Sequence, residues 1–174
     1  MKFKIFGPYL VERRKNRIDK SSLPKFWEMV GEDMPNLPKA CGCYLFATRA
    51  AGGFTPWYVG KADKRSFEDE CFDYHKRDIY YDVIADRNGI PVLFLIVRLT
   101  GSKKKCSLPG KNGHREVDYV ESLLIGTALK KNSDLMNIKK TGFAKRLCVP
   151  GLVNTPRGEG RLKSVRDFKK AIGA

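Results

Sequence analysis

The chain has 174 residues, with 34 Lys and Arg against 19 Asp and Glu and a net charge of +15 with both histidines neutral. That length fits one domain with at most a small appendage, and 42% hydrophobic with 11% aromatic residues supply a core that a disordered basic peptide lacks. No apolar run approaches the roughly 20 residues that cross a bilayer, and the opening MKFKIFGPYLVERRKNR turns charged before a signal-peptide core could form. The sequence therefore predicts a soluble cytoplasmic protein.

The charge points to a polyanionic partner, because phosphate polymers release counterions on such a surface. Nucleic acid fits better than a membrane, which calls for one amphipathic helix with Lys and Arg along its polar face. The five cysteines include no CxxC pair, and with His75 and His114 as the only histidines neither a disulfide framework nor a structural zinc site has recognisable spacing.

In chain order, residues 1–39 read as an accessory arm. Ser21-Ser22-Leu23-Pro24 resembles a helix start, Phe26, Trp27, Met29 and Val30 pack a short helix, and Pro35 and Pro38 end it. The period then changes. Cys41–Thr48 and Pro56–Lys61 are rich in β-favouring residues and flank a glycine loop, which predicts a β-hairpin. Ser66 with Asp69 three residues on is a capping-box-like start, predicting a helix to about Tyr80 with Phe67, Cys71 and Tyr74 on its inner face. Asn88-Gly89 marks a turn, and the unbroken apolar run Pro91–Val97 predicts a strand buried on both faces. A long basic loop spans 101–113, a helix follows from about His114 to Lys131, and the basic tail from Lys139 ends in a short helix near Lys163–Ala171. Hairpin, helix, buried strand and helix make an α/β domain of α+β type on a small three-stranded sheet.

On the second long helix Val117, Val120, Leu124 and Ala128 share one stripe, and Glu121 falls inside it. A carboxylate facing a core needs a cation, a metal or hydrogen-bond donors, which serves a structural ion pair as well as a functional site. Glu116 and Asp118 point away from the stripe as solvated acids. Tyr44 and Tyr58 stand on the paired strands beside Gly42 and Gly60, where glycine marks close approach of a backbone or ligand. Lys61 follows at the end of the hairpin, a natural place to meet phosphate.

Gly42-Cys43-Tyr44, Tyr58-Val59-Gly60-Lys61, the downstream Glu121 and Asn137 together resemble the GIY-YIG nuclease superfamily across residues 40–138. The resemblance implies a three-stranded antiparallel sheet flanked by helices with residues 40–138 as catalytic core, and the charge of residues 139–174 predicts a basic extension packed on it. It also implies metal-dependent hydrolysis of phosphodiester bonds, in DNA rather than RNA. In that scheme Glu121 holds one Mg²⁺ or Mn²⁺. Tyr44 takes the proton of the attacking water, which needs a nearby cation because its ordinary pKa is near 10, and Tyr58 orients water or phosphate. Gly42, Gly60 and Asn137 are structural supports.

This sequence departs from the family pattern at Cys43, usually aliphatic, and at Glu68, where relatives carry an arginine on the helix after the second motif. Arg65 and Lys76 are the candidate substitutes, with His75 as a further catalytic candidate. Lys61, Lys76, Lys103, Lys104, Lys105, Lys111 and Arg115, with Lys139, Lys140, Lys145, Arg146, Arg157 and Arg161 behind them, form a candidate path for the sugar-phosphate backbone. One such site cuts one strand, so double-strand cleavage calls for a homodimer or a partner protein. The competing readings are a catalytically weak or inactive nucleic-acid-binding protein on the same fold, and an interaction module docking through Phe26 and Trp27.

Overall fold

The computed structural model of the chain describes residues 2–101, 105–137, 141–142 and 145–173. They fall into two compact units, Met1–Met136 and Asn137–Ala174. The first contains an antiparallel sheet of strands β1 (Lys2–Leu10), β4 (Gly42–Ala50), β5 (Gly53–Ala62), β6 (Ile90–Thr100) and β7 (Lys105–Cys106). Its order is β1-β6-β4-β5, with β7 pairing to β6. A separate two-residue ladder joins β2 (Arg13–Arg14) to β3 (Arg17–Ile18).

The expected hairpin and buried strand are present as β4, β5 and β6, but the sheet has five strands instead of three among the described residues. Residues expected in an accessory arm supply β1, and part of the expected basic loop supplies β7. β1 buries only Phe6 and Tyr9 along its length, and Gly7-Pro8 breaks both its alternation and its register with β6. An edge strand can carry exposed lysines and a proline because one side has no ladder to complete. The same latitude lets Pro56 sit in β5 at the other edge of the sheet.

Helix α1 (Leu23–Asp33) begins where the Ser-Ser-Leu-Pro signal predicts and stops before Pro35. The single helix expected from Ser66 to Tyr80 is instead two, α2 (Phe67–Glu70) and α3 (Tyr74–Asp86). Ser66 caps the first by accepting the Asp69 N–H, and Asp73 caps the second by accepting the Lys76 N–H at 3.0 Å. A second strong cap offers the backbone a fresh start and wins over continuation. Phe67 and Cys71 are fully buried as expected, but the restart turns Tyr74 outward, 67% exposed.

Each face of the sheet has its own packing. Tyr44 and Phe46 of β4 with Leu93 and Leu95 of β6 meet Phe26 of α1, Phe67 of α2 and Tyr80 of α3 in the largest core, where Tyr80 stacks on Phe46 at 3.9 Å. The opposite face carries Cys43, Val59 and Ile96 against Val117, Ile125 and Ala128 of α4 (Arg115–Lys131). The second unit holds α5 (Lys163–Ile172), the expected final helix, closed by Gly173 in the left-handed conformation. Among the described residues no helix is long and apolar enough to cross a membrane.

Candidate active site

Because β5 is the outer strand, groups from both faces of the sheet converge on its free edge. Tyr44 pairs across the hairpin with Gly60, and Phe46 with Tyr58, so both tyrosines stand on the α3 face. A β-carbon at Gly60 would lie 2.2 Å from Tyr44 Cζ and 2.3 Å from its hydroxyl. The glycine of the second motif is thus the space occupied by the tyrosine of the first. Gly42 is constrained likewise, since a β-carbon there would lie 2.1 Å from the Ile96 carbonyl oxygen and 3.0 Å from Phe67 Cζ. The Tyr44 and Tyr58 rings are 6.2 Å apart.

An open cleft of about 380 Å³ lies here, lined by Tyr44, Tyr58, Lys61, Arg65, Lys76 and Glu121, with Asp63, Lys64 and Glu70 completing it. Glu121 is buried one helical turn from Val117 and Ile125, where the stripe on the wheel puts it. Lys61, on the α4 face of β5, bonds Asp63 at 3.0 Å and also Asp118. Asp118 is exposed, as the sequence predicts, and still pairs with a residue of the cleft, while Glu116 bonds Arg98 at 2.7 Å. Partial burial would lower the Lys61 pKa, but hydrogen bonds to Asp118 and Asp63 outweigh it and hold the ammonium above its ordinary range.

On the other flank Glu70 receives two cations, Lys76 at 3.4 Å and Arg65 at 3.4 Å, and Arg65 also reaches Asp73 at 3.4 Å. The Lys76 ammonium lies 5.7 Å from the centre of the Tyr58 ring. Burial works against its charge, yet Tyr58, Glu70 and Asp73 raise its pKa. Burial pushes the Tyr58 phenol up, with Lys76 pulling the other way. Tyr44 is raised well above the ordinary tyrosine value, chiefly by burial, and its hydroxyl has no hydrogen-bond partner among the described residues.

Not every sequence candidate converges. His75 is exposed, sets its ring edge-on to Tyr74 at 5.6 Å and does not line the cleft. Lys105, Lys111 and Arg115 are exposed outside the lining. Lys103, Lys104, Lys139 and Lys140 lie outside the described residues. Asn137 opens the second unit, where its carbonyl accepts the Thr141 hydroxyl, and Lys145, Arg146, Arg157 and Arg161 are exposed in that unit.

Asp63, Lys64 and Glu70 escaped sequence reasoning. Glu70 ends a helix of four residues, too short for any periodicity to orient. Asp63 had a local signal in the Gly-Lys-Ala-Asp run that leaves the hairpin. Its carbonyl accepts the Gly110 N–H at 3.0 Å, and a β-carbon at Gly113 would lie 2.5 Å from its carboxylate, so Asp63 fixes the loop beside the cleft.

Among the described residues no group of three or more His, Cys, Asp and Glu side chains could cage a metal. Glu121 and Glu70 do line the same cleft. One or two carboxylates beside a phosphate-sized opening suit an ion that takes its other ligands from substrate phosphate and water, as Mg²⁺ commonly does. No protein-family model, curated protein or solved structure matches this chain.

Proposed function

We propose that this protein is a metal-dependent endonuclease that hydrolyses phosphodiester bonds in DNA, with a GIY-YIG-type active site in the cleft at the β5 edge. The observation that carries this reading is convergence: Tyr44 of β4, Tyr58 and Lys61 of β5, Arg65, Lys76 of α3 and Glu121 of α4 line one cleft. A net charge of +15 draws the polyanion toward the protein before any specific contact forms.

Glu121 would hold the divalent cation, with Glu70 within the same lining. Once bound, that cation polarises the scissile phosphate and stabilises the leaving oxygen. Lys76, Arg65 and Lys61 exchange their carboxylate partners for phosphoryl oxygens as the substrate enters, which neutralises charge that builds during displacement. Tyr58, beside Lys76, donates a hydrogen bond that orients the phosphate. Tyr44 starts protonated, because burial holds its pKa high. It can take the attacking water's proton only as the phenolate, after cationic charge entering the cleft has let it release its own proton to solvent.

The test is purified protein and Glu121→Gln with supercoiled plasmid, in Mg²⁺, Mn²⁺ or EDTA. Wild type nicks in metal and not in EDTA, and Glu121→Gln slows nicking by about 10²-fold or more. Nicked circles precede linear product, because one site cuts one strand. Equal rates for the two proteins would overturn the assignment of Glu121. A second reading, a nucleic-acid binder without cleavage, is favoured by Glu70, which already engages both Arg65 and Lys76. It predicts a salt-sensitive mobility shift with no nicking in any metal.

A further inference from the structure

Beyond the cleft, α3 carries aromatic residues on two sides. Tyr80 is buried in the core, while Tyr74 and Tyr81 are 67% and 38% exposed. Tyr74, Arg77, Asp78 and Tyr81 follow each other at three- and four-residue spacing, which puts them on one face of the helix. With Arg17 of β3 and Lys20 of the turn after it they line a second pocket of about 290 Å³, and Ile18 completes it. The Arg17 guanidinium lies over the Tyr81 ring, 5.1 Å from its centre, a cation–π contact that holds the ring by one of its two faces.

The two pockets share the first turn of α3. Lys76 lines the cleft and its neighbour Arg77 lines the second pocket. Asp73 caps the helix and binds Arg65 of the cleft, and the next residue is Tyr74. Tyr74 lies about 200° around the helix from Lys76, so a strand whose phosphate lies against Lys76 and Arg65 reaches Tyr74 by passing the Arg65–Asp73 pair at the start of the helix. From there to Tyr81 the helix advances about 10 Å.

We propose that this face of α3 is a stacking subsite for unpaired bases, and that the substrate is nucleic acid with a single-stranded or splayed segment next to the scissile phosphate. The inference rests on the endonuclease reading for the location of the scissile bond, and on its own observations for the stacking. A groove that only follows a duplex backbone needs cations and no exposed rings, because the duplex hides its base faces within the stack. Exposed tyrosines interleaved with Arg17, Lys20 and Arg77 match a strand whose bases are available, with rings for the bases and cations for the phosphates. Asp78 is the one acid in this lining against those three cations, which leaves the pocket complementary to phosphate.

The test measures binding in EDTA, so that cleavage plays no part. A fluorescein-labelled blunt DNA duplex is compared by anisotropy with the same duplex ending in two unpaired arms. Wild type binds the forked probe about tenfold more tightly. The double variant Tyr74→Ala, Tyr81→Ala binds both probes with the blunt-duplex affinity of wild type, whereas Tyr74→Phe, Tyr81→Phe keeps the preference, because the phenyl ring still stacks. A 2-aminopurine in the arm is quenched by wild type and the Phe variant and not by the Ala variant. Equal affinity of wild type for the two probes would overturn the proposal, as would a fork preference that survives in the Ala variant. A uniform loss on both probes would also overturn it, since it would mark a phosphate surface without base contacts. Both side chains are exposed, so the Ala variant retains the fold, which circular dichroism checks. Fork preference without metal-dependent cleavage of the forked duplex itself would overturn only the endonuclease reading, and cleavage without fork preference only this one.

Discussion

On the floor of the cleft Tyr44 is fully buried over Gly60, with Phe46 and Tyr80 stacked behind it. On the rim, Lys61 reaches Asp118 while Arg65 and Lys76 share Glu70, and all three cations stay partly open to water. The contrast separates what is held from what can exchange. Exposed ion pairs are worth roughly 0–1 kcal/mol, so a phosphate can displace Glu70 from the exposed Arg65 at little cost, while the Lys76 pair is more enclosed. Buried rings packed at interior density yield only when the surrounding core yields. The floor thus fixes geometry, and the rim supplies replaceable charge.

The most damaging way to break this contrast is to fill the floor. Gly60→Ala puts a methyl group 2.2 Å from Tyr44 Cζ, and Tyr44, fully buried, has nowhere to retreat. The expected cost is about 3 kcal/mol of unfolding free energy, near the upper end for an overpacked core, measured by urea denaturation and accompanied by loss of plasmid nicking. Gly52→Ala is the control, because a β-carbon there meets nothing within 4 Å. If both variants unfold at the same urea concentration, the floor is not rigid and the contrast fails.

A smaller effect separates Lys76 from Arg65, the two cations on the α3 side of the cleft. The Lys76 side chain is 17% exposed and sits beside Tyr58, whereas the Arg65 side chain is 52% exposed and also satisfied by Asp73. A cation in a less hydrated position does more for charge building on a phosphate. Lys76→Ala is expected to slow nicking by about tenfold or more, and Arg65→Ala only by about two- to threefold, with the unfolding midpoint little changed in either. The reverse ranking in nicking rate would make Arg65 the functional cation and Lys76 a structural one.

The residues that sequence reading identifies in this cleft are those with a periodic or motif signal. Tyr44, Tyr58 and Glu121 sit on two long strands and a long helix, whose alternation and 3.6-residue stripe fix which way each side chain faces. Lys76 was nameable but not orientable, because its direction depends on the restart of the helix at Asp73. That same restart sends Tyr74 outward and brings Glu70 to the cleft from a four-residue helix. Nothing in local sequence ranks the cap at Asp73 above continuation of the helix from Ser66. β1 was missed for a different reason. Gly7-Pro8 interrupts its alternation, and its lysines are tolerable only because β6 beside it leaves it an edge. Whether an element lies at the rim or in the middle of a sheet is a property of the whole fold, and period alone does not carry it.

The subtlest test distinguishes the two buried hydroxyls behind the cleft. Those of Tyr44 and Tyr80 both lack hydrogen-bond partners among the described residues, and burial raises both pKa values well above the ordinary 10.0. Above that pH the unfolded chain releases protons that the native chain still holds. The stability linked to these groups is therefore complete below pH 10 and declines as pH rises beyond it. Tyr80→Phe removes one of them together with an unsatisfied hydroxyl, so it should gain up to about 1 kcal/mol near neutral pH, lessen the alkaline decline and leave nicking unchanged. Urea midpoints from pH 8 to 11 and the plasmid assay read all three. Tyr44→Phe shares the stability signs, but it should lose nicking, because only Tyr44 lines the cleft. A Tyr80→Phe protein destabilised by more than about 1 kcal/mol would mean that its hydroxyl is satisfied in solution, by a water trapped behind the motif tyrosines. The floor would then be a hydrogen-bonded network instead of a packed wall.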